Sequence, residues 1–400
     1  MLTSLAIIFL LGLLMGSIFN KLKLPSLMGM IFTGIIISPY ALNLLDEKIL
    51  SISSDLRQLA LIIILTRAGL SLDINALKKV GRPAILMCFV PACFEILAVV
   101  FIAPKILGVS ILEAAIMGAV VAAVSPAIIV PRMINLIEKK IGKENSIPQL
   151  IMAGASVDDI FVIVLFTAFT GLAKGDEISA MSFAQIPISI VMGIVVGIVM
   201  GIILIKTFKK IHFRDSIKVI IILSVSFLLI ECQNILENVV PMSGLLAIMS
   251  MGIVIKAKYE ILATRLSNKY NKLWVAAEIV LFVLVGATVN TKYVLQAGVS
   301  AVVVILFALV VRMVGVYTCL IKTKLPMKER LFCMIAYTPK ATVQAAIGSI
   351  PLSMGLECGQ LVLTVAVLSI LITAPFGAIG IDSTYKKLLC KEDESMEDIV

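Results

Sequence analysis

The chain has 400 residues, of which 60% are hydrophobic and 15% charged, and its formal net charge is +9. A soluble protein of this size would carry roughly 25% charged residues, so the composition excludes a soluble globular fold. Apolar runs long enough to cross a ~30 Å hydrocarbon layer recur along the chain and predict an all-α polytopic membrane protein.

The apolar runs predict about thirteen transmembrane helices. The first run has no basic residue before it and no small-residue cleavage site after it, which favours a spanning helix over a removable signal peptide. In chain order, the predicted spans are 2–20, 25–45, 56–72, 84–104, 111–133, 149–173, 182–206, 217–237, 239–255, 272–289, 293–321, 328–350 and 359–380.

The loop charges give this topology an orientation. Of the 34 basic residues, 26 fall in alternate loops and the C-terminal tail, whereas 5 fall in the intervening loops. The positive-inside rule then predicts a multi-pass protein of the cell membrane with its N-terminus outside and its C-terminus in the cytoplasm. Cytoplasmic loops that face anionic lipid account for the net charge, so we predict membrane lipid as a partner and no nucleic acid.

Two spans are interrupted by proline, at residues 125–131 and 338–342. Proline removes an amide donor and clashes with the preceding turn, so both spans are expected to be discontinuous. If the helix at 182–206 is a linker, each break lies in the fifth span of a six-span half. We therefore predict a transmembrane domain over 1–381 with two inverted six-helix repeats, about 1–174 and 217–381, and crossed discontinuous helices. A short cytoplasmic tail covers 382–400.

Five ionisable residues lie within spans at one depth, roughly 14–18 Å from the cytoplasmic face at ~1.5 Å rise per residue. They are Asp158, Asp159, Lys340, Glu95 and Arg312. Each costs roughly 2.5–3.5 kcal/mol on insertion, so such residues persist mainly where they pair or line a cavity. Their common depth predicts a functional site.

Three further features lie outside this group. Glu278, about six residues into its span, is predicted to line the cytoplasmic entrance. Gly193, Gly197 and Gly201 form a stripe that permits close helix packing, although the sequence leaves the partner helix open. The seven cysteines contain no CxxC pair, which predicts neither a disulfide nor a metal framework.

Three segments resemble signatures of the monovalent cation/proton antiporter superfamily. They are Val124–Pro131 (VSPAIIVP), Ala155–Ile160 (ASVDDI) and Tyr337–Ala346 (YTPKATVQAA). The double aspartate is most similar to the NHA-like subgroup of sodium/hydrogen exchangers.

The resemblance implies an antiporter fold with a six-helix core domain and a scaffold domain that forms a homodimer. It also implies residue roles. Asp159 matches the ion-binding carboxylate, and Lys340 the lysine that pairs with it. Asp158 matches a position that is Asn in electroneutral branches, and Glu95 and Arg312 match an intramembrane ion pair.

Two adjacent aspartates in a desolvated site cannot both ionise cheaply, so protons and a hard cation compete for them. We expect Na⁺ or Li⁺ to bind Asp159, with Asp158 and Ser125 nearby, and to exchange for H⁺ by alternating access. Lys340 is expected to pair with a carboxylate when the cation is absent. This function requires no cofactor and is not that of an enzyme. The alternatives are a K⁺/H⁺ antiporter of the same superfamily and a sodium-coupled solute symporter of similar architecture.

Overall fold

The protein was analysed as a computed structural model, which describes residues 1–72, 81–142, 146–174, 180–236 and 242–389. Within these ranges the chain forms helices and no β-strand. Eight helical stretches in this described part of the chain are long and apolar enough to cross a membrane. The predicted all-α polytopic fold is confirmed, whereas the count of thirteen spans stays a prediction.

We number the helices of the described residues in chain order. They are α1 Leu2–Lys21, α2 Ser26–Ile37, α3 Glu47–Ser51, α4 Ser53–Ser71, α5 Arg82–Met87, α6 Val90–Leu107, α7 Ile111–Ala122, α8 Pro126–Glu138, α9 Ile147–Lys174, α10 Ala180–Lys210, α11 Asp215–Leu236, α12 Gly244–Lys258, α13 Glu260–Ala287, α14 Thr291–Cys319, α15 Met327–Ala336, α16 Thr342–Ile347, α17 Ile350–Ser353 and α18 Gly359–Leu388.

Each predicted span coincides with at least one helix, but several spans differ from the prediction, and the helix predicted at 272–289 begins at Glu260. Two of the differences have a local cause. The second helix ends at Ile37 and not near residue 45, because Pro39 disfavours the helical conformation of the residue before it. The fourth span is not continuous but breaks at Cys88 and Phe89, just before Pro91.

Some predicted features lie outside the described residues. They are Lys78, Lys79, Lys143, Lys391, Cys390 and the tail from residue 390 onward. The six cysteines within the described ranges are free thiols.

The chain divides into two compact units. Unit 1 comprises Met1–Leu13, Met30–Asp73 and Ile163–Thr288, and unit 2 comprises Leu14–Gly29, Ile74–Val162 and Val289–Val400. Each unit takes segments from both predicted repeats. The units are therefore a different division of the chain from the repeats, and the repeat relationship stays a prediction.

Unit 1 is held together by close helix crossings at glycine. A Cβ on Gly193, Gly197 or Gly201 of α10 would lie no more than 3.0 Å from a carbonyl oxygen of Ser243, Ala247 or Met251, respectively. Those oxygens belong to α12 and the residue before it, so the partner of the glycine stripe is a helix of the same chain. Small residues at a membrane crossing let two backbones approach and gain dispersion contacts.

We expect Gly197→Ala to lower the melting temperature of the detergent-solubilised protein by several degrees. The added methyl group would meet the Ala247 backbone, and overpacking of this kind costs roughly 1–3 kcal/mol. Gly171→Ala in α9 is the matched control, because a Cβ there meets nothing within 4 Å and alanine favours a helix over glycine. An equal response of the two variants would contradict the packing role.

Candidate functional site

The site lies in unit 2, where three helices break next to proline. Proline cannot donate to the carbonyl four residues before it, and its ring pushes that carbonyl away. The carbonyls released in this way belong to Met87, Ala122 and Ile335. Each accepts another hydrogen bond: Met87 from the Tyr337 hydroxyl at 3.4 Å, Ala122 from Arg312 and Ile335 from the Thr338 hydroxyl at 2.8 Å.

The two predicted breaks touch each other. The backbone N–H of Ser125, between α7 and α8, donates to the Pro339 carbonyl, between α15 and α16, at 2.8 Å. Non-helical backbone at membrane depth is tolerated where it is re-satisfied or lines a cavity. The sequence therefore predicted the positions of both discontinuous helices correctly, and the structure joins them.

Arg312 of α14 is fully buried and connects four elements of this centre. Nη1 lies 3.0 Å from Glu95 Oε2 and also donates to the Ala122 carbonyl. Nη2 lies 3.0 Å from Asp158 Oδ2, and Nε donates to the Tyr337 carbonyl at 3.0 Å. The Glu95–Arg312 ion pair implied by the resemblance is present, and Arg312 pairs with Asp158 as well.

Lys340 lies in the break before α16, and its ammonium is placed on Glu95. Nζ lies 2.7 Å from the Glu95 carboxylate and donates to the Val121 carbonyl at 2.5 Å. The backbone N–H of Lys340 donates to Thr373 Oγ1 at 3.0 Å, which fixes the start of this side chain.

The pairing of Lys340 with Asp159, implied by the resemblance, is not the one seen. Arg312 and Lys340 meet at the C-terminal end of α7. The carbonyls there have no partner within the helix and form the negative end of its dipole, which attracts basic groups. Glu95 of α6 faces the same point.

Asp158 and Asp159 are adjacent on α9 but differ in environment. Asp158 is fully buried, and its Oδ2 accepts the Val124 backbone N–H at 2.8 Å in addition to Arg312. Asp159 is only partly buried. Among the described residues it forms no ion pair, and its Oδ1 has no hydrogen-bond partner. Of the three acids in this centre, Asp159 is the one without a basic partner in the described ranges.

Buried oxygen atoms without a donor gather around the breaks. They are Ser125 Oγ, Asp158 Oδ1, Asp159 Oδ1, Thr342 Oγ1 and Gln344 Oε1. Within the described ranges no three His, Cys, Asp or Glu side chains are arranged to hold a metal ion. A cation at this centre would use hydroxyl and backbone oxygens besides carboxylate, the oxygen ligands that a hard cation prefers.

Glu278 lies in unit 1, on α13, where it is partly buried and interacts electrostatically with Arg67 of α4. This partner was not predicted. Its role at the cytoplasmic entrance stays a prediction.

Sequence reasoning missed three side chains that build the centre: Tyr337, Thr373 and Gln344. Gln344 donates to the Val121 and Ala123 carbonyls. A usable signal was present, because Gln344 lies within the quoted segment Tyr337–Ala346. Pro91 in the fourth span was a second signal, for the break there.

Comparison with known proteins identifies the family. A family model described as "Sodium/hydrogen exchanger, transmembrane" matches residues 5–387. Human sodium/hydrogen exchanger 9B2 is 30% identical over 98% of this chain and 76% of its own length. Human sodium/hydrogen exchanger 9B1 is 31% identical over 92% of this chain and 73% of its own length. The chain belongs to the sodium/hydrogen exchanger family.

The fold agrees with this membership. The sodium proton antiporter MjNhaP1 from Methanocaldococcus jannaschii superposes with a TM-score of 0.83 at 21% identity, covering 96% of this chain and 97% of that one. As a member of the sodium/hydrogen exchanger family, the chain is a multi-pass cation/proton antiporter and not an enzyme. The transported ions that the family supports are Na⁺ and H⁺.

Proposed function

We propose that Na⁺, or Li⁺, and H⁺ compete for Asp159 and that alternating access of this site couples their exchange. The observation that carries the proposal is the unequal pairing of the three acids in this centre. Glu95 and Asp158 have basic partners at 2.7–3.0 Å, whereas Asp159 has none in the described part of the chain. An unpaired carboxylate in a low-dielectric site strongly favours acquiring a positive charge.

The charges of this centre favour exchange of one cation for one proton. Glu95, Asp158 and Asp159 face two permanent partners, Arg312 and Lys340, which leaves one excess negative charge when all five ionise. Either Na⁺ or H⁺ on Asp159 neutralises that charge. Lys340 is held by Glu95 and the Val121 carbonyl, so cation binding at Asp159 does not need to displace its ammonium or release its proton.

The remaining ligands of the cation are proposed among the oxygens that lack donors. Ser125 Oγ is fully buried beside the Pro339 contact, and Asp158 Oδ1 is free because Oδ2 takes both hydrogen bonds. Asp158 and Ser125 would thus assist Asp159 without carrying the exchanged charge. Arg312, Lys340 and Glu95 would fix the geometry of the broken helices and set the local field.

The placement of the protein in the cell is also a proposal. The loop charges favour the cell membrane with a cytoplasmic C-terminus. We also propose that the protein contacts membrane lipid and forms a homodimer, the latter as the resemblance implies.

Reconstitution in liposomes tests the function. We expect an inward Na⁺ or Li⁺ gradient to drive proton efflux, read with a pH-sensitive dye, and K⁺ to drive it at least tenfold less well at equal concentration. Because no net charge moves in one-for-one exchange, clamping the membrane potential at zero with valinomycin and equal K⁺ should leave the rate unchanged.

Two outcomes would contradict these proposals. A rate that changes several-fold with the imposed potential would exclude one-for-one exchange. K⁺ as the best driver would assign the chain to K⁺/H⁺ antiport.

A further inference from the structure

Gln344 is a fully buried amide that neither the family comparison nor the ion pairs account for. It lies on α16, directly after the Lys340 break. Its Nε2 donates to the Ala123 carbonyl at 2.8 Å and to the Val121 carbonyl at 3.3 Å. Both acceptors are carbonyls, so the amide nitrogen must face the end of α7, and the amide oxygen faces away from it.

The Ala123 carbonyl shares a peptide unit with the Val124 N–H, and that N–H donates to Asp158 Oδ2 at 2.8 Å. Gln344 and Asp158 therefore hold opposite ends of one peptide. A peptide unit is planar and rigid, so a hydrogen bond that orients its carbonyl also orients its N–H. Donation to the carbonyl polarises the peptide and strengthens its N–H as a donor, by about 10–30% per bond.

We propose that Gln344 is a positioning residue that acts on Asp158 through the Ala123–Val124 peptide and so sets the cation affinity of the exchange site. The inference rests on the function proposed above. Without this amide, the Val124 N–H is less well aimed and is a weaker donor. The Asp158 carboxylate is then oriented less firmly, so its Oδ1, which has no donor, is a poorer ligand for the cation.

Other groups also act on Asp158, and they stay in place when Gln344 is changed. The charged groups are Arg312 on α14, Lys340 in the break before α16 and Asp159 next in the chain. The titratable groups that face it from α6, from the breaks and from α14 are Cys88, Cys93, Cys319 and Tyr337. A change in Na⁺ affinity on loss of Gln344 therefore reports the peptide contact and not a change in the number of neighbouring charges.

Gln344→Met tests the inference, because methionine has a similar length but no N–H donor. We expect the apparent KM for Na⁺ to rise about three- to tenfold, within the range of coupled contacts, while the maximal rate changes less than twofold. Gln149→Met is the matched control, since Gln149 also carries a buried amide oxygen without a partner but lies at the start of α9. We expect it to change neither quantity.

A double-mutant cycle separates positioning from a purely structural role. In an Asp158→Asn background, Gln344→Met should change the Na⁺ affinity less than twofold. The affinity is read from the Na⁺-dependent rise in melting temperature in detergent, which does not require transport. An equal effect in both backgrounds would overturn the proposal, as would a response to Gln344→Met no larger than that to Gln149→Met.

Gln344→Glu decides the question if Gln344→Met does not fold or if Asp158→Asn binds no Na⁺. A glutamate donates to the Ala123 carbonyl only while protonated. We therefore expect near-normal Na⁺ affinity at acidic pH, relative to wild type at the same pH, and a growing deficit at alkaline pH. A deficit independent of pH would overturn the proposal. Failure of the proposed function itself would look different, because the wild-type protein would then show no Na⁺ response at any pH.

Discussion

Asp159→Asn is expected to abolish sodium-driven proton movement, with a loss of at least a hundredfold in liposomes. Asparagine keeps the size of the side chain but cannot carry the negative charge for which H⁺ and Na⁺ compete. The four other charges of the centre then balance in two pairs, Glu95 with Lys340 and Asp158 with Arg312. The centre then has no excess negative charge that would bind a cation. The protein should nevertheless fold, because Asp159 forms no ion pair in the described part of the chain whose loss would leave a partner unpaired.

Proton efflux after Na⁺ addition measures this effect, with the melting temperature in detergent as the check on folding. Asp382→Asn is the matched control, since Asp382 is exposed and pairs with Arg132 at 3.1 Å away from the centre. We expect the control to transport normally. If Asp159→Asn still dissipated a pH gradient on Na⁺ addition, Asp159 would not be the exchanging carboxylate.

Arg312→Met is expected to have the largest effect on stability, with a loss of roughly 3–5 kcal/mol, because removing one partner of a buried ion pair leaves an uncompensated charge. Lys340 would still neutralise Glu95, but Asp158 would lose its only ion-pair partner among the described residues. The Ala122 and Tyr337 carbonyls would lose the donor seen here as well. The melting temperature would fall, and so would the yield of monodisperse protein measured by size-exclusion chromatography.

A second substitution separates lost charge pairing from lost packing. Arg312→Met with Asp158→Asn should recover part of the stability, because the unpaired charge is removed together with its partner. Arg330→Met is the control outside the centre, since Arg330 donates to the Leu325 and Thr323 carbonyls and forms no ion pair in the described part. No recovery in the double variant would show that Arg312 stabilises the fold by packing and carbonyl capping alone.

Much of this centre follows from the sequence because charge in an apolar span is expensive. Asp158, Glu95, Arg312 and Lys340 lie on four separate segments, yet their common depth predicted one site, and the structure brings them into contact. The proline breaks were predictable for an equally local reason, since proline cannot complete a helical turn.

The pairing within the centre was not predictable, because depth limits a side chain to a layer and does not choose its neighbour. Lys340 reaches Glu95 because the end of α7 offers a free carbonyl at that point, a property of tertiary packing. Gln344 was missed because an uncharged amide carries no insertion signal as strong as that of a charge. The break before Pro91 was missed because residues 84–94 carry no charged or strongly polar side chain, so the hydropathy pattern continues across it.

The released carbonyls have a consequence for how such a protein changes during evolution. The break after Ala122 is specified twice, once by Pro126 and once by the guanidinium that occupies the Ala122 carbonyl. Replacing Pro126 alone would restore a backbone N–H at position 126. The Ala122 carbonyl would still be occupied by Arg312, so the break between α7 and α8 should persist. A relative in which this proline has drifted to another residue can therefore keep the same crossed backbone, provided that its arginine remains. The feature that preserves the break is therefore a contact between distant parts of the chain, Arg312 with Ala122. A sequence search that requires the proline would miss relatives with the same fold.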